Sequence, residues 1–214
     1  MLVVNKFPHS ITNESFRALR TSIKYASVDK ELKTIAITSA LDGEGKSSVA
    51  ANLALSLSED EKNVLLVDCN LRNPKLHDMF QVGTAMGLTN LLANECKRDS
   101  VTHKINKRLD FLSAGKITNN APELLGSKNM DMFLEDIKSQ YDYIILDTPS
   151  VMSVTDPQIL AAKVDGTIIV VKANKSKNAM VVKAYKELEK VKATVIGTVL
   201  NGSNRLDKFK TKNR

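Results

Sequence analysis

No apolar run in the 214-residue sequence approaches the roughly 20 residues needed to cross a bilayer. The opening stretch "MLVVNKFPHS" also lacks the charged, apolar and cleavage regions of a secretory leader. The chain is therefore expected to be cytoplasmic. Cysteine is scarce. Cys69 and Cys96 have no metal-type spacing, and a reducing compartment disfavours a disulfide between them. Both are expected as buried or inert thiols. There is no internal repeat and no low-complexity linker, so the length fits one domain over 1–214. Acidic residues are the minority charge, 24 against 31 basic ones, for a net charge of +7. Much of the excess lies in a basic tail at about 203–214, which contains "NRLDKFKTKNR". Such a tail suits anionic lipid or nucleic acid. It lacks the aromatic interleaving and amphipathic spacing of such binders, so it reads first as a solvated end, and no nucleic-acid partner is expected.

What the sequence does have is alternation. The apolar runs "TIAIT", "VLLVD", "LDFLSA", "YIILD", "TIIVV" and "ATVIGTVL" are separated by longer helical patterns such as "KSSVAANLALSLSED", "KNMDMFLEDIKSQ" and "AMVVKAYKELEKV". Several runs are continuously apolar, as strands buried on both faces are. Strand–helix alternation of this kind predicts an α/β fold, a doubly wound, mostly parallel sheet with helices on both faces. In such sheets ligands bind at the carboxyl ends of the strands. Before the first strand, "TNESFRALRTSIKYA" predicts a helix over about 12–28, with Thr12 or Asn13 as its cap. Phe16, Leu19 and Ile23 share one side of it, and Glu14, Arg17 and Arg20 recur at three-residue spacing.

The segment after "TIAIT" is "SALDGEGKSS", Ser39 to Ser48. Between a strand and a helix, Gly45, Lys46 and Ser47 fit the end of a phosphate-binding loop, although its usual first glycine is Ala40. Gly43 and Gly45 can supply positive backbone dihedrals and close approach. The amides of Glu44, Gly45, Lys46, Ser47 and Ser48 would then face an anion at a helix N-terminus. Asp42 sits within the loop. Lys46 would neutralise the outer phosphates, and the Ser47 hydroxyl is placed for Mg²⁺. Two further strand ends carry acids: Asp68 in "VLLVDCNLR", followed by Asn70 and Arg72, and Asp147 in "YIILDTPS". A carboxylate ending an apolar strand is costly without a partner, and Mg²⁺ beside a phosphate loop is an obvious one.

With these residues the sequence resembles the bacterial tyrosine kinases of capsule and exopolysaccharide synthesis, in the form made as a separate cytoplasmic subunit, within the MinD/ParA-like P-loop ATPases. The resemblance rests on "ESFRALRTSI", "ITSALDGEGKSS", "VLLVDCNLRNPKLH", "GLTNLL", "APELLGS", "YDYIILDTPSVMSVTD" and "GTVLN", from Glu14 to about Asn201. It implies ATP and Mg²⁺ as cofactors and transfer of the γ-phosphate to protein tyrosines. Lys46 would hold the β- and γ-phosphates, and Ser47 would ligate the metal. Asp68 would help position the metal and the tyrosine hydroxyl, Asp147 would hold the metal or its water from the opposite side, and Arg72 would lie near the phosphates. Asn201 would sit near the adenine. Glu14, Arg17 and Arg20 match the family's ring-forming contact, which implies a homo-oligomer. A membrane-embedded activator, the chain-length-determinant protein, would recruit the chain to the inner face of the membrane.

Two positions depart from the family's pattern. Its second loop usually carries another acid where this chain has Asn70, which accepts a hydrogen bond but brings no charge. Weaker activity, rather than none, is expected. The family's chains also end in a tyrosine cluster, whereas here the tyrosines are Tyr25, Tyr141, Tyr143 and Tyr185. Tyr141 and Tyr143 read as structural. Two other readings stand beside the kinase. One is a nucleotide-binding, catalytically weak assembly subunit of the polysaccharide machinery. The other is a MinD/ParA-like ATPase, which Leu41 argues against, because those ATPases carry a second lysine there.

Overall fold

The computed structural model describes residues 2, 10–26 and 31–203. The expected basic tail therefore lies, from residue 204 on, outside the described residues, as do positions 27 and 28 of the expected N-terminal helix.

Each apolar run becomes a strand. They are β1 (Thr34–Ser39), β2 (Val64–Asp68), β4 (Leu109–Leu112), β5 (Tyr143–Ser150), β6 (Gly166–Lys172) and β7 (Val195–Asn201). A short further strand, β3 (Thr102–Lys104), was not foreseen. Its three residues, "THK", are polar and too few to show a period. The seven strands form one sheet in the order β3-β4-β2-β5-β1-β6-β7. Every pair is parallel except β3 with β4, so the sheet is mostly parallel as expected.

Alternate residues of β2 show why these runs are apolar throughout. Val64 and Leu66 pack into one core with Ile35, Ile37 and Leu53, while Leu65 and Val67 pack into another with Leu112, Ile144 and Leu146. β2 thus feeds two cores, one per face. The first core is covered by α1 (Ile11–Ala26) and α2 (Lys46–Glu59). The second is covered largely by α5 (Ala121–Gly126), α6 (Lys128–Lys138) and α7 (Asp156–Ala161), with α4 (Leu88–Leu92) beside them. A third cluster lies under α8 (Asn178–Lys190). The five-residue α3 (Leu76–Phe80) follows β2.

The N-terminal helix begins one residue earlier than expected, and its cap is neither Thr12 nor Asn13. Ser10 Oγ accepts from the Asn13 amide at 3.1 Å, which satisfies one of the first-turn donors. Ile23 is buried, and Phe16 and Leu19 pack against the first core, as their spacing implied. Cys69 is buried, Cys96 is half-buried, and neither is disulfide-bonded. Among the described residues no helix is long and apolar enough to cross a membrane.

Candidate nucleotide and phosphoryl-transfer site

The carboxyl ends of β1, β2 and β5 open onto a cleft of about 520 Å³. Asp42, Gly43, Gly45, Lys46, Ser47, Ser48, Asn70 and Arg72 line it. Glu44, Asp68, Asp147 and Asn201 lie outside its lining but adjoin the same loops.

The loop between β1 and α2 turns twice through left-handed backbone, at Gly43 (φ 75°) and Gly45 (φ 96°). Gly45 is needed for a second reason. A Cβ there would stand 2.0 Å from the Asn201 side-chain amide. That amide donates to the Glu44 carbonyl at 3.0 Å and so ties the end of β7 to the loop. Gly45 also precedes α2 without any side-chain cap, which leaves the helix's first amides open to an anion. Ala40 is fully buried in the third core, so the position of the missing glycine faces packing, not phosphate.

The side chain of Glu44 does not face the cleft. It is 1% exposed, accepts from the Leu41 amide at 2.9 Å, and takes the Ser176 hydroxyl with its other oxygen. The loop is therefore clamped to the β6–α8 connection, from which Lys175 also donates to the Asp42 carbonyl at 3.3 Å. Asp42 turns toward Lys46, with 3.6 Å between its carboxylate and the ammonium. Ser150 holds the same carboxylate at 2.7 Å and Ser153 at 3.2 Å. The Ser150 hydrogen bond, aided by Lys46, lowers its pKa against the upward push of partial burial.

Asp68 and Asp147 face each other in the β2–β5 register and are both essentially buried. Asp68 accepts from the amides of Asn70 (3.1 Å), Lys75 (3.2 Å) and Leu76 (3.2 Å) and so shapes the loop after β2. Among the described residues neither oxygen of Asp147 has a well-formed hydrogen bond; the Ser47 hydroxyl is its nearest polar influence. Burial raises both carboxyl pKa values, and for Asp147 the neighbouring Asp68 raises it further, opposed by Ser47 and Lys46. Burial, with these two acids, also pushes the Cys69 thiol up.

Asn70 fills the cleft edge with its side-chain oxygen accepting from the Asn73 amide at 3.2 Å. Arg72 donates through Nε to Asp156 at 2.9 Å and through Nη2 at 3.4 Å. Asp156, Ser150, Ser153 and Ser176 were not singled out from the sequence. Asp156 begins α7 just before Pro157, which in sequence is the ordinary look of a helix first turn. The bonds from the serines to the phosphate loop span long chain separations. Of the residues expected at an oligomer contact, Arg17 pairs with Glu14 within this chain, and Arg20 donates to the Ser56 carbonyl at 2.6 Å and pairs with Asp60 at 3.5 Å.

Comparison with known proteins agrees with this geometry. The family described as ParA, NUBPL iron-transfer P-loop NTPase, matches residues 31–212. The tyrosine-protein kinase YwqD of Bacillus subtilis (strain 168) is 39% identical over 91% of this chain and 83% of its own. The chimerical protein CapA2B2 superposes with a TM-score of 0.89 at 32% identity, over 93% of this chain and 88% of that one. The kinase domain of the Escherichia coli tyrosine kinase ETK superposes with a TM-score of 0.92 at 28% identity, over 96% and 81%.

Proposed function

Because the chain belongs to the ParA-type P-loop NTPases and, within them, to the bacterial tyrosine-protein kinases, we propose that it transfers the γ-phosphate of ATP to protein tyrosines in the machinery of capsular or exopolysaccharide synthesis. The observation that carries the site assignment is Asp147. A buried carboxylate with two unpartnered oxygens, beside the open N-terminus of α2, is costly unless a bound ligand completes it.

That arrangement fits a hydrated Mg²⁺. This ion prefers oxygen ligands and usually keeps waters and substrate phosphates instead of an all-protein cage. Ser47 and Asp147 would hold it directly or through water, with Asp68 behind. When bound, it would neutralise charge that develops on the phosphoryl oxygens. The rest falls to the chain's own residues. The α2 amides and Lys46 cradle the phosphates, and Asp42, now beside Lys46, gives way to them. Gly43 and Gly45 allow the backbone to approach, and Asn201 braces the loop from behind. Arg72 adds a positive charge at the cleft wall, and the tyrosine hydroxyl would enter from the open side.

The chain would work beside the membrane, brought there by a membrane-embedded partner. Subunits would meet in a ring through α1. The exposed Glu14–Arg17 pair is available for such a contact, whereas Arg20 is spent on its own chain. A catalytically weak assembly role is favoured by Asn70, whose oxygen closes a turn and which brings no acid to the cleft. Purified chain with Mg²⁺, ATP and the reconstituted membrane partner decides between them. Phosphotyrosine that disappears in Lys46→Met supports the kinase, and nucleotide binding without phosphotyrosine on any protein supports the assembly role.

A further inference from the structure

We infer that Asp156 is the positioning residue for Arg72: it holds one edge of the guanidinium so that the other is presented to the phosphoryl-transfer cleft. This rests on the kinase reading of that cleft.

Asp156 is fully buried, and Arg72 is not; a third of its side chain is exposed, in the cleft. The two come from different strand-end loops. Arg72 follows β2 and Asp156 starts α7 after β5, and β2 and β5 are neighbours in the sheet. The contact uses both carboxylate oxygens. Nε meets one at 2.9 Å and Nη2 meets the other at 3.4 Å, the paired geometry for which a guanidinium fork is suited. Nη1 takes no part in this pairing.

An acid in the first turn of a helix is favourable by itself. That accounts for an Asp at position 156, but it does not account for its complete burial or for its side-on pairing with a cleft arginine. A pair kept only for stability has no need to leave its cation half open to a ligand cavity, and buried ion pairs are weak stabilisers in any case. What the pair does supply is order. A long, flexible cation is fixed in one orientation before the anion arrives, so less freedom is lost when its remaining edge meets phosphoryl or substrate oxygens. Asp156 also keeps the guanidinium more firmly charged, chiefly through the hydrogen bond itself. An orientation set from β5's side couples two walls of the cleft, so Asp156 acts on the reaction through Arg72 without touching substrate.

The test is a double-mutant cycle with a readout independent of activity. The variants are Asp156→Asn, which keeps shape but loses charge and one acceptor, and Arg72→Lys, which keeps the charge that Asp156 needs but loses the fork. In the wild-type chain the Arg72 Nε proton, followed by ¹⁵N NMR, should exchange with water at least tenfold more slowly than that of an exposed arginine. Asp156→Asn should abolish that protection. With the membrane partner and ATP, each single variant should lower kcat for phosphotyrosine formation about tenfold or more, with KM for ATP changed less than threefold. The double variant should be within twofold of Arg72→Lys alone. If Asp156→Asn costs the same factor in both backgrounds, or if Arg72 Nε is unprotected in the wild type, Asp156 is structural and the inference is wrong. A wild-type chain with a protected Nε but no phosphotyrosine would instead sink the kinase reading and leave the Asp156 pairing intact.

Discussion

Asp68 and Asp147 stand opposite each other where β2 and β5 run side by side, yet the chain treats them differently. Asp68 is met by three backbone amides, and Asp147 is met by none. One acid is therefore a structural anchor of the loop after β2, and the other, on the kinase reading, would be completed by a ligand.

The two should respond in opposite ways to neutralisation. Asp68→Asn places an amide group against donors that need an acceptor, and should destabilise the fold by roughly 2 kcal/mol. Asp147→Asn replaces a buried carboxyl whose charged form burial already disfavours, and should leave stability unchanged or raise it by about 1 kcal/mol, while phosphoryl transfer falls at least ~100-fold. Urea unfolding of both variants without nucleotide checks the first half. Equal destabilisation by the two would contradict it.

Asp42 acts as a resident counter-ion for Lys46. Its carboxylate lies 3.6 Å from the ammonium and is itself largely exposed, so the pairing is weak. Asp42→Asn should tighten ATP binding by roughly two- to fivefold, since a phosphate no longer displaces a carboxylate. Titration calorimetry measures it. Unchanged or weaker affinity would mean that the phosphates do not meet Lys46 on that side.

Gly45→Ala should fail for two independent reasons, its positive φ and the Asn201 amide 2.0 Å from the new methyl. Backbone strain alone costs roughly 1–2 kcal/mol. Pairing it with Asn201→Ala should relieve the clash but not the φ, recovering part of the stability. Thermal melts of the two single variants and the double variant read this out.

Away from the site, Asp165 accepts from the Lys33 amide, from the Thr34 amide and hydroxyl, and from Lys138. Partial burial pushes its pKa up, but these bonds outweigh that and the net shift is downward. A depressed folded value means that its stabilisation is complete above the unfolded value of about 3.9 and is lost as pH falls through the lower folded one. Asp165→Ala should cost about 2 kcal/mol near neutrality, with the gap from wild type closing below about pH 4. A gap independent of pH would mean that the carboxylate's charge is not what matters.

The sheet was legible because its central strands are buried on both faces and carry near-continuous apolar runs, as in "VLLVD" and "TIIVV". The loop was legible because Gly43, Gly45, Lys46 and Ser47 lie close together in sequence. What stayed hidden depends on contacts between distant segments. Glu44 looks like one more loop residue until Ser176, 132 positions later, takes its carboxylate. Asp156 reads as a helix-start acid until Arg72, 84 positions earlier, is found against it. Arg20 fits a repeated charge pattern, yet its partners are Ser56 on α2 and Asp60 just past its end, where the tertiary fold brings them. The polar strand β3 has no signal of its own, because it pairs only with β4 at the sheet edge.

The tyrosines offer the most direct measurement. Tyr141 donates its hydroxyl to Asp110 at 2.8 Å, and Tyr143 packs against the first core, whereas Tyr25 and Tyr185 are 70% and 45% exposed. Wild-type and Lys46→Met chains should be incubated with Mg²⁺, ATP and the membrane partner, and then every tyrosine in both proteins read by mass spectrometry. Phosphotyrosine on the partner, or on Tyr25 or Tyr185, present in wild type and absent in Lys46→Met, is the expected result. No phosphotyrosine on any protein, from a wild-type chain that binds ATP, would contradict the assignment of this cleft as a tyrosine kinase site.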